Sequence, residues 1–131
     1  MEQIIVETLK DAVSPSVIYL FGSAATGHIR HDSDIDIAFL SDERSLDHYE
    51  RFMLAQQLAE RLQRDVDLID LKEASTVFQA QIISSGKVIY CADEQKKAEY
   101  EWLVLKMYAK LNEERAEILR NIAESGSVYD S

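Results

Sequence analysis

From Glu2 to Val13, apolar residues return every fourth position at Ile5, Leu9 and Val13, a period that predicts an amphipathic helix stopped by Ser14-Pro15. The run Val17 to Phe21 is β-branched and aromatic without alternation, which predicts a buried strand ended by Gly22. A short helical turn over Ser23 to Thr26, capped by Ser23, comes next, and Gly27 reopens the chain. Ser33 to Leu40 has a period of two: Asp34, Asp36, Ala38 and Leu40 share one face, and Ile35, Ile37 and Phe39 share the other. That is a strand.

Ser45 to Gln63 is expected to be a helix with Ser45 as its cap, since Leu54, Leu58 and Leu62 recur four apart. Asp65 to Leu71 alternates again as a strand, with Asp65, Asp67, Ile69 and Leu71 on one face. A short helix from Ser75 to Ser84 should end at Gly86 in a left-handed turn, and Lys87 to Cys91 makes a last strand. Alternating helices and strands predict a small layered α/β (α+β) unit ending near residue 91.

Asp93 to Glu124 has no glycine or proline, so it predicts one long helix or two with a soft break, followed by a frayed tail, SGSVYDS. Tyr100, Leu103, Val104, Met107 and Leu111 form a stripe, and Trp102, Leu105 and Tyr108 widen it. Either the first half folds back on the domain, or the domain takes one side and a protein partner or second copy takes the other.

Composition narrows the classes. The 131 residues carry 24 acids against 14 bases, a net charge of −10, which would repel a nucleic-acid backbone over most of the surface. A nucleotide is different, because a divalent cation can sit between its phosphates and carboxylates. No apolar run is long enough to cross a bilayer and the first residues do not resemble a leader, so a cytoplasmic protein is expected. The single cysteine, Cys91, excludes an internal disulfide or a cysteine-rich metal site. His28, His31 and His48 have no mutual spacing that builds a zinc site.

The chemistry sits in YLFGSAATGHIRHDSDIDIA, residues 19–38. Residues two apart on a strand have Cβ atoms about 6–7 Å apart on one side, so Asp34 and Asp36 aim their carboxylates into one small volume. Without a cation the pair repels and one pKa rises. Mg²⁺ resolves this, because it prefers oxygen ligands, keeps waters and accepts substrate phosphate. Upstream, only a glycine lets a phosphate come close to the main chain at Gly22-Ser23. If the strand holding Asp67 lies beside the one holding Asp36, Asp67 becomes a third carboxylate, chosen over Asp65 because it lies deeper in its strand. Three carboxylates around two metals would suit phosphoryl or nucleotidyl transfer, with Asp67 also able to take the proton of an attacking hydroxyl. Ser33 and Arg30 are further phosphate contacts to test.

Gly22-Ser23, ten residues, then Asp34-Ile35-Asp36 resembles the signature of the DNA polymerase β-like nucleotidyltransferase superfamily. With DVDLIDL and SSGKVIY downstream, the chain is similar to its minimal members, the MNT antitoxins encoded beside HEPN ribonuclease toxins. The resemblance implies a mixed β-sheet packed with helices over residues 1–91, and a helical extension over 92–131 for packing or partner contact. It implies that Gly22 and Ser23 hold nucleotide phosphates and that Asp34, Asp36 and Asp67 bind Mg²⁺. The implied reaction is transfer of AMP from ATP to a tyrosine hydroxyl of the toxin, which silences it. One departure stands out: relatives often carry arginines two positions apart after the glycine-serine pair, where this chain has Ala24 and Thr26. Charge on a triphosphate must then be met by metal, backbone and Arg30.

Two other functions fit parts of the pattern. One is nucleotidylation of a small hydroxylated molecule such as an aminoglycoside, against which stands the lack of a second domain to enclose it. The other is an antitoxin that neutralises by binding alone, its acids vestigial.

Overall fold

A computed structural model describes residues 1–27 and 33–125. The order of elements is α1 (Glu2–Val13), β1 (Val17–Phe21), α2 (Ser23–Thr26), β2 (Ile35–Leu40), α3 (His48–Leu62), β3 (Val66–Asp70), α4 (Thr76–Ser85), β4 (Lys87–Cys91) and α5 (Glu94–Glu124). The four strands form one mixed sheet in the order β3-β2-β1-β4. β1 is antiparallel to both β2 and β4, while β2 and β3 are parallel.

Alternation along the strands builds two cores, one on each side of the sheet. Ile18, Leu20, Ile35, Ile37, Phe39 and Leu68 face α1 and α3, where Ile5, Leu9, Leu54 and Leu58 meet them. Val17, Tyr19, Ala38, Leu40 and Leu71 face the other way, toward Ile82 of α4 and Tyr100 of α5. Each fully buried aliphatic residue here contributes roughly 1.5–3 kcal/mol of transfer free energy. A one-residue slip of β2 would turn Ile35, Ile37 and Phe39 out of their core, so register is fixed by burial on both faces.

Several boundaries differ from the sequence expectation. The cap of α3 is Asp47, not Ser45: the Asp47 carboxylate accepts from the Glu50 N–H at 2.7 Å, and the Glu50 carboxylate accepts from the Asp47 N–H at 3.2 Å. Leu46, buried just before it, and Ser45 both lie ahead of the helix. Gly22, not Ser23, precedes the first residue of α2, and no side chain caps that turn. Gly86 is extended, with φ −79° and ψ 164°, and not left-handed. Its requirement is space: a Cβ there would run into the Ile82 carbonyl oxygen and lie 3.1 Å from that of Leu20. β2 begins at Ile35, so Asp34 stands one residue before the strand.

The helix α5 is one piece, about 46 Å long. Its first half is tied down: the Tyr100 hydroxyl donates to Gln79 Oε1 at 2.7 Å, and the Tyr19 hydroxyl donates to Glu101 Oε2 at 3.3 Å. Burial holds both phenols well above the usual tyrosine range, so they stay neutral donors. Val104 is the one buried residue of the helix, and Trp102, Leu103, Leu105 and Met107 remain exposed. From Asn112 to Ser125 every residue is exposed. No helix among the described residues is long and apolar enough to cross a membrane.

Candidate active site

The face of the sheet that carries Tyr19 and Ala38 is arranged in rows across the strands. Val17, Leu40 and Leu71 lie at one end and are buried. Tyr19, Ala38 and Ile69 come next, with Tyr19 opposite Ala38 and Ala38 opposite Ile69. The last row is Phe21, Asp36 and Asp67, again partners in register. Apolar rows therefore end in an acidic row where β1 finishes and where β2 and β3 start.

The parallel register of β2 and β3 sets Asp67 beside Asp36, on strands about 4.8 Å apart. Asp67 is exposed and Asp36 half-buried, with Asp34 exposed just ahead of the strand. Asp36 is held above the usual carboxylate range by burial first, then by the charges of Asp67 and Asp34. The sequence pointed to Asp34 as the like charge that matters. In the folded chain the neighbour across the ladder, Asp67, acts more strongly.

Gly22 follows β1 directly and closes the site from the other side. Its φ of 64° and ψ of −144° lie where side chains other than glycine are strained, and a Cβ there would overlap Asp36 Oδ2. The bare backbone of Gly22 and the Asp36 carboxylate thus share one space. Ser23 is half-buried at the first position of α2. Arg30, with His28 and His31, lies outside the described residues.

Ser33 precedes Asp34 but lines a different space, a cavity of about 1000 Å³ beside α3 that also involves Tyr49, Met53, Arg64 and Asp65. Asp34, Asp36 and Asp67 do not line it. Asp70 is excluded from the acidic row because it shares the opposite face with Leu68, where its Oδ1 accepts from the Lys72 N–H at 3.0 Å.

Among the described residues no three histidine, cysteine or carboxylate side chains are gathered so as to hold a metal ion by themselves. Mg²⁺ does not require that. It is usually held by one or two carboxylates with waters and substrate phosphates completing the octahedron. Asp36 and Asp67 are in register, Asp36 adjoins the bare Gly22 backbone, and the two carboxylates have the hard-oxygen chemistry such an ion takes.

Sequence reading passed over one neighbour of this row. Phe78 of α4 meets Phe21 edge to face, with ring centroids 5.8 Å apart and planes at 84°, and is 38% exposed. The signal was faint because α4 carries Val77, Phe78, Ile82 and Ile83 on several sides and has no dominant apolar stripe.

Comparison with known proteins gives a consistent set. Residues 3–95 match the family described as Polymerase beta, Nucleotidyltransferase. Over 122 residues, 92% of this chain and 86% of the relative, the sequence is 38% identical to the protein adenylyltransferase MntA of Shewanella oneidensis. A crystal structure of a toxin–antitoxin with AMP-PNP aligns with a TM-score of 0.82 at 38% identity, over 93% of this chain and 98% of that one. A structure of tri-AMPylated Shewanella oneidensis HEPN toxin in complex with MNT antitoxin aligns with a TM-score of 0.76 at 36% identity, over 93% and 95%.

Proposed function

This chain belongs to the polymerase β nucleotidyltransferase family, and from that premise we propose that it transfers AMP from ATP to a tyrosine hydroxyl of a HEPN ribonuclease toxin and so serves as the toxin's antitoxin. The observation that carries the reading is the acidic row itself, Asp36 between Asp67 and the Phe21-Gly22 corner. Its support from outside is a relative named for protein adenylylation and a neighbour whose toxin carries AMP.

In this reading Gly22 and Ser23 receive the triphosphate, and the absent side chain of Gly22 lets the Asp36 carboxylate lie directly against the main chain that does so. Asp34, Asp36 and Asp67 would hold Mg²⁺, which when bound neutralises phosphate oxygens and favours the departure of pyrophosphate. Asp67, exposed at the open side of the row, accepts the proton of the incoming tyrosine hydroxyl. The tyrosine oxygen bonds to the α-phosphorus as the bond to the β-phosphate oxygen breaks and pyrophosphate leaves. Arg30 supplies a further phosphate contact in this reading. Residues 1–91 carry this chemistry, and residues 92–131 serve to grip the toxin.

The test is incubation of the chain with Mg²⁺, labelled ATP and the toxin encoded beside it. Label is expected on a toxin tyrosine, lost with chelator and reduced at least a hundredfold by Asp36→Ala or Asp67→Ala. Toxin neutralised equally well by the unlabelling variants would overturn transfer in favour of binding alone.

A further inference from the structure

One stripe of α3, with Tyr49, Met53, Gln56, Gln57 and Glu60 at helical spacing, lines the cavity of about 1000 Å³ that the acidic row does not use. Gln63 ends the helix in a left-handed turn, and Arg64 and Asp65 continue the lining with Ser33. Tyr49 is 70% exposed and Met53 47%, so a ring face and a thioether lie open there. Among the described residues Arg64 has no ion pair and no side-chain hydrogen bond, and its Nη1 is buried. The other cation of the lining, Arg44, is taken up by Glu50 at 3.4 Å and the Ala12 carbonyl oxygen at 3.1 Å. Buried donors are seldom left unpaired, and a half-buried guanidinium without a counter-charge is costly. An anion in the cavity supplies what Arg64 lacks.

We propose that this cavity is a second nucleotide site, which takes a nucleoside monophosphate with its phosphate on Arg64, its ribose diol on Glu60 and its base over Tyr49 and Met53. The order of chemistry along α3 is that of the ligand. A guanidinium suits a phosphate, a carboxylate accepts from ribose hydroxyls, and an open aromatic face stacks a base. The side-chain amides of Gln56 and Gln57 both donate and accept, as the edge of a purine requires. Glu60 and Asp65 have no ion pair among the described residues and repel further negative charge, which disfavours ATP and selects a single phosphate. Inorganic phosphate alone would leave the ring face unused, and an apolar ligand would leave Arg64 unpaired. Asp34, Asp36 and Asp67 do not line the cavity, so it lies apart from the place where ATP reacts. Ser33 and Asp65 stand one residue before Asp34 and two before Asp67, which brings the site alongside the start of the strands that carry the acids. Its occupant is AMP, either free or already joined to the toxin.

The experiment titrates AMP into the full chain in chelator, where nucleotide held through Mg²⁺ is suppressed. Saturable binding is expected, weakened about tenfold by Arg64→Gln and about tenfold by Tyr49→Ala, and unchanged in Asp36→Asn. Tyr49 is exposed, so its variant guards against a folding artefact of Arg64→Gln. Adenosine should bind more weakly than AMP and be indifferent to Arg64→Gln, and inorganic phosphate should be indifferent to Tyr49→Ala. A second titration compares adenylylated with unmodified toxin. Tighter binding of the adenylylated form, lost in Arg64→Gln, supports the site with joined AMP as its occupant; equal binding of the two, with free AMP still held through Arg64 and Tyr49, supports it with free AMP. Absence of saturable AMP binding overturns the proposal, as does binding that Asp36→Asn abolishes while Arg64→Gln and Tyr49→Ala leave it intact. The AMP titration reads the site without any transfer, so its failure is distinct from failure of the chain to label the toxin.

Discussion

Asp36 is half-buried beside two other carboxylates, so in the metal-free protein its ionised form is disfavoured by lost hydration and by repulsion from Asp67 and Asp34. Its folded pKa lies above its unfolded one, so the native state binds the extra proton between the two values. Stability therefore falls as pH rises through that window above about 4. Asp36→Asn removes the charge and keeps the shape. Without metal it is expected to raise the melting temperature by about 3 °C at neutral pH, allowing for solvent screening, with the gap to wild type closing in acid. Calorimetry in chelator across pH checks this; a lower melting temperature at neutral pH would contradict the crowding of these carboxylates. Gly22→Ala acts in the opposite sense. Its Cβ overlaps Asp36 Oδ2 and its φ of 64° disfavours alanine, so a loss of about 1–2 kcal/mol in a urea titration is expected, together with weakened ATP binding. The Asp34-Asp36 alternation was legible because a period of two is local. The partnership of Asp36 with Asp67 depends on a parallel register between separate strands, which no local pattern states.

At the level of elements, what could be read followed burial. The α1 stripe and the two faces of β2 stand where apolar spacing placed them, and α4 begins at Thr76, next to the expected start, with Ser75 as its cap, whose Oγ accepts from the Phe78 N–H. The end points that shifted were decided by contacts distant in sequence. Ser45 and Asp47 are both acceptable caps, and burial of Leu46 against the core selects Asp47. Gly86 is kept extended because β4 begins at once against Leu20 of β1. Asp47→Ala, which removes the acceptor for the Glu50 N–H, should cost about 1 kcal/mol in a chemical denaturation curve. Because α3 lies across the sheet from Asp36 and Asp67, labelling of the toxin should persist in folded Asp47→Ala protein; loss of labelling with intact fold would tie α3 to the chemistry.

Across the whole molecule the unbalanced feature is α5. Its first half is held by Tyr19, Gln79 and the ion pair of Lys96 with Asp42 at 3.1 Å, but its second half has Ile118, Leu119 and Ile122 exposed. A helical segment of this length is marginal in water without an apolar face packed on something, so the chain alone does not explain why these residues are apolar. The toxin is the occupant consistent with the proposed function, and contact there would hold the acceptor protein to the enzyme while its tyrosine reaches the sheet edge. Ile118→Asp combined with Leu119→Asp places two charges on that face without touching either core. The variant should keep its melting temperature, since exposed substitutions change stability by little, and should bind ATP as before. Affinity for the toxin is expected to fall about a hundredfold by calorimetric titration, as for loss of an interface anchor, with labelling recovered at high toxin concentration. Undiminished toxin binding would contradict this placement, and a concentration-dependent dimer of the chain alone, broken by the same substitutions, would assign the face to a second copy.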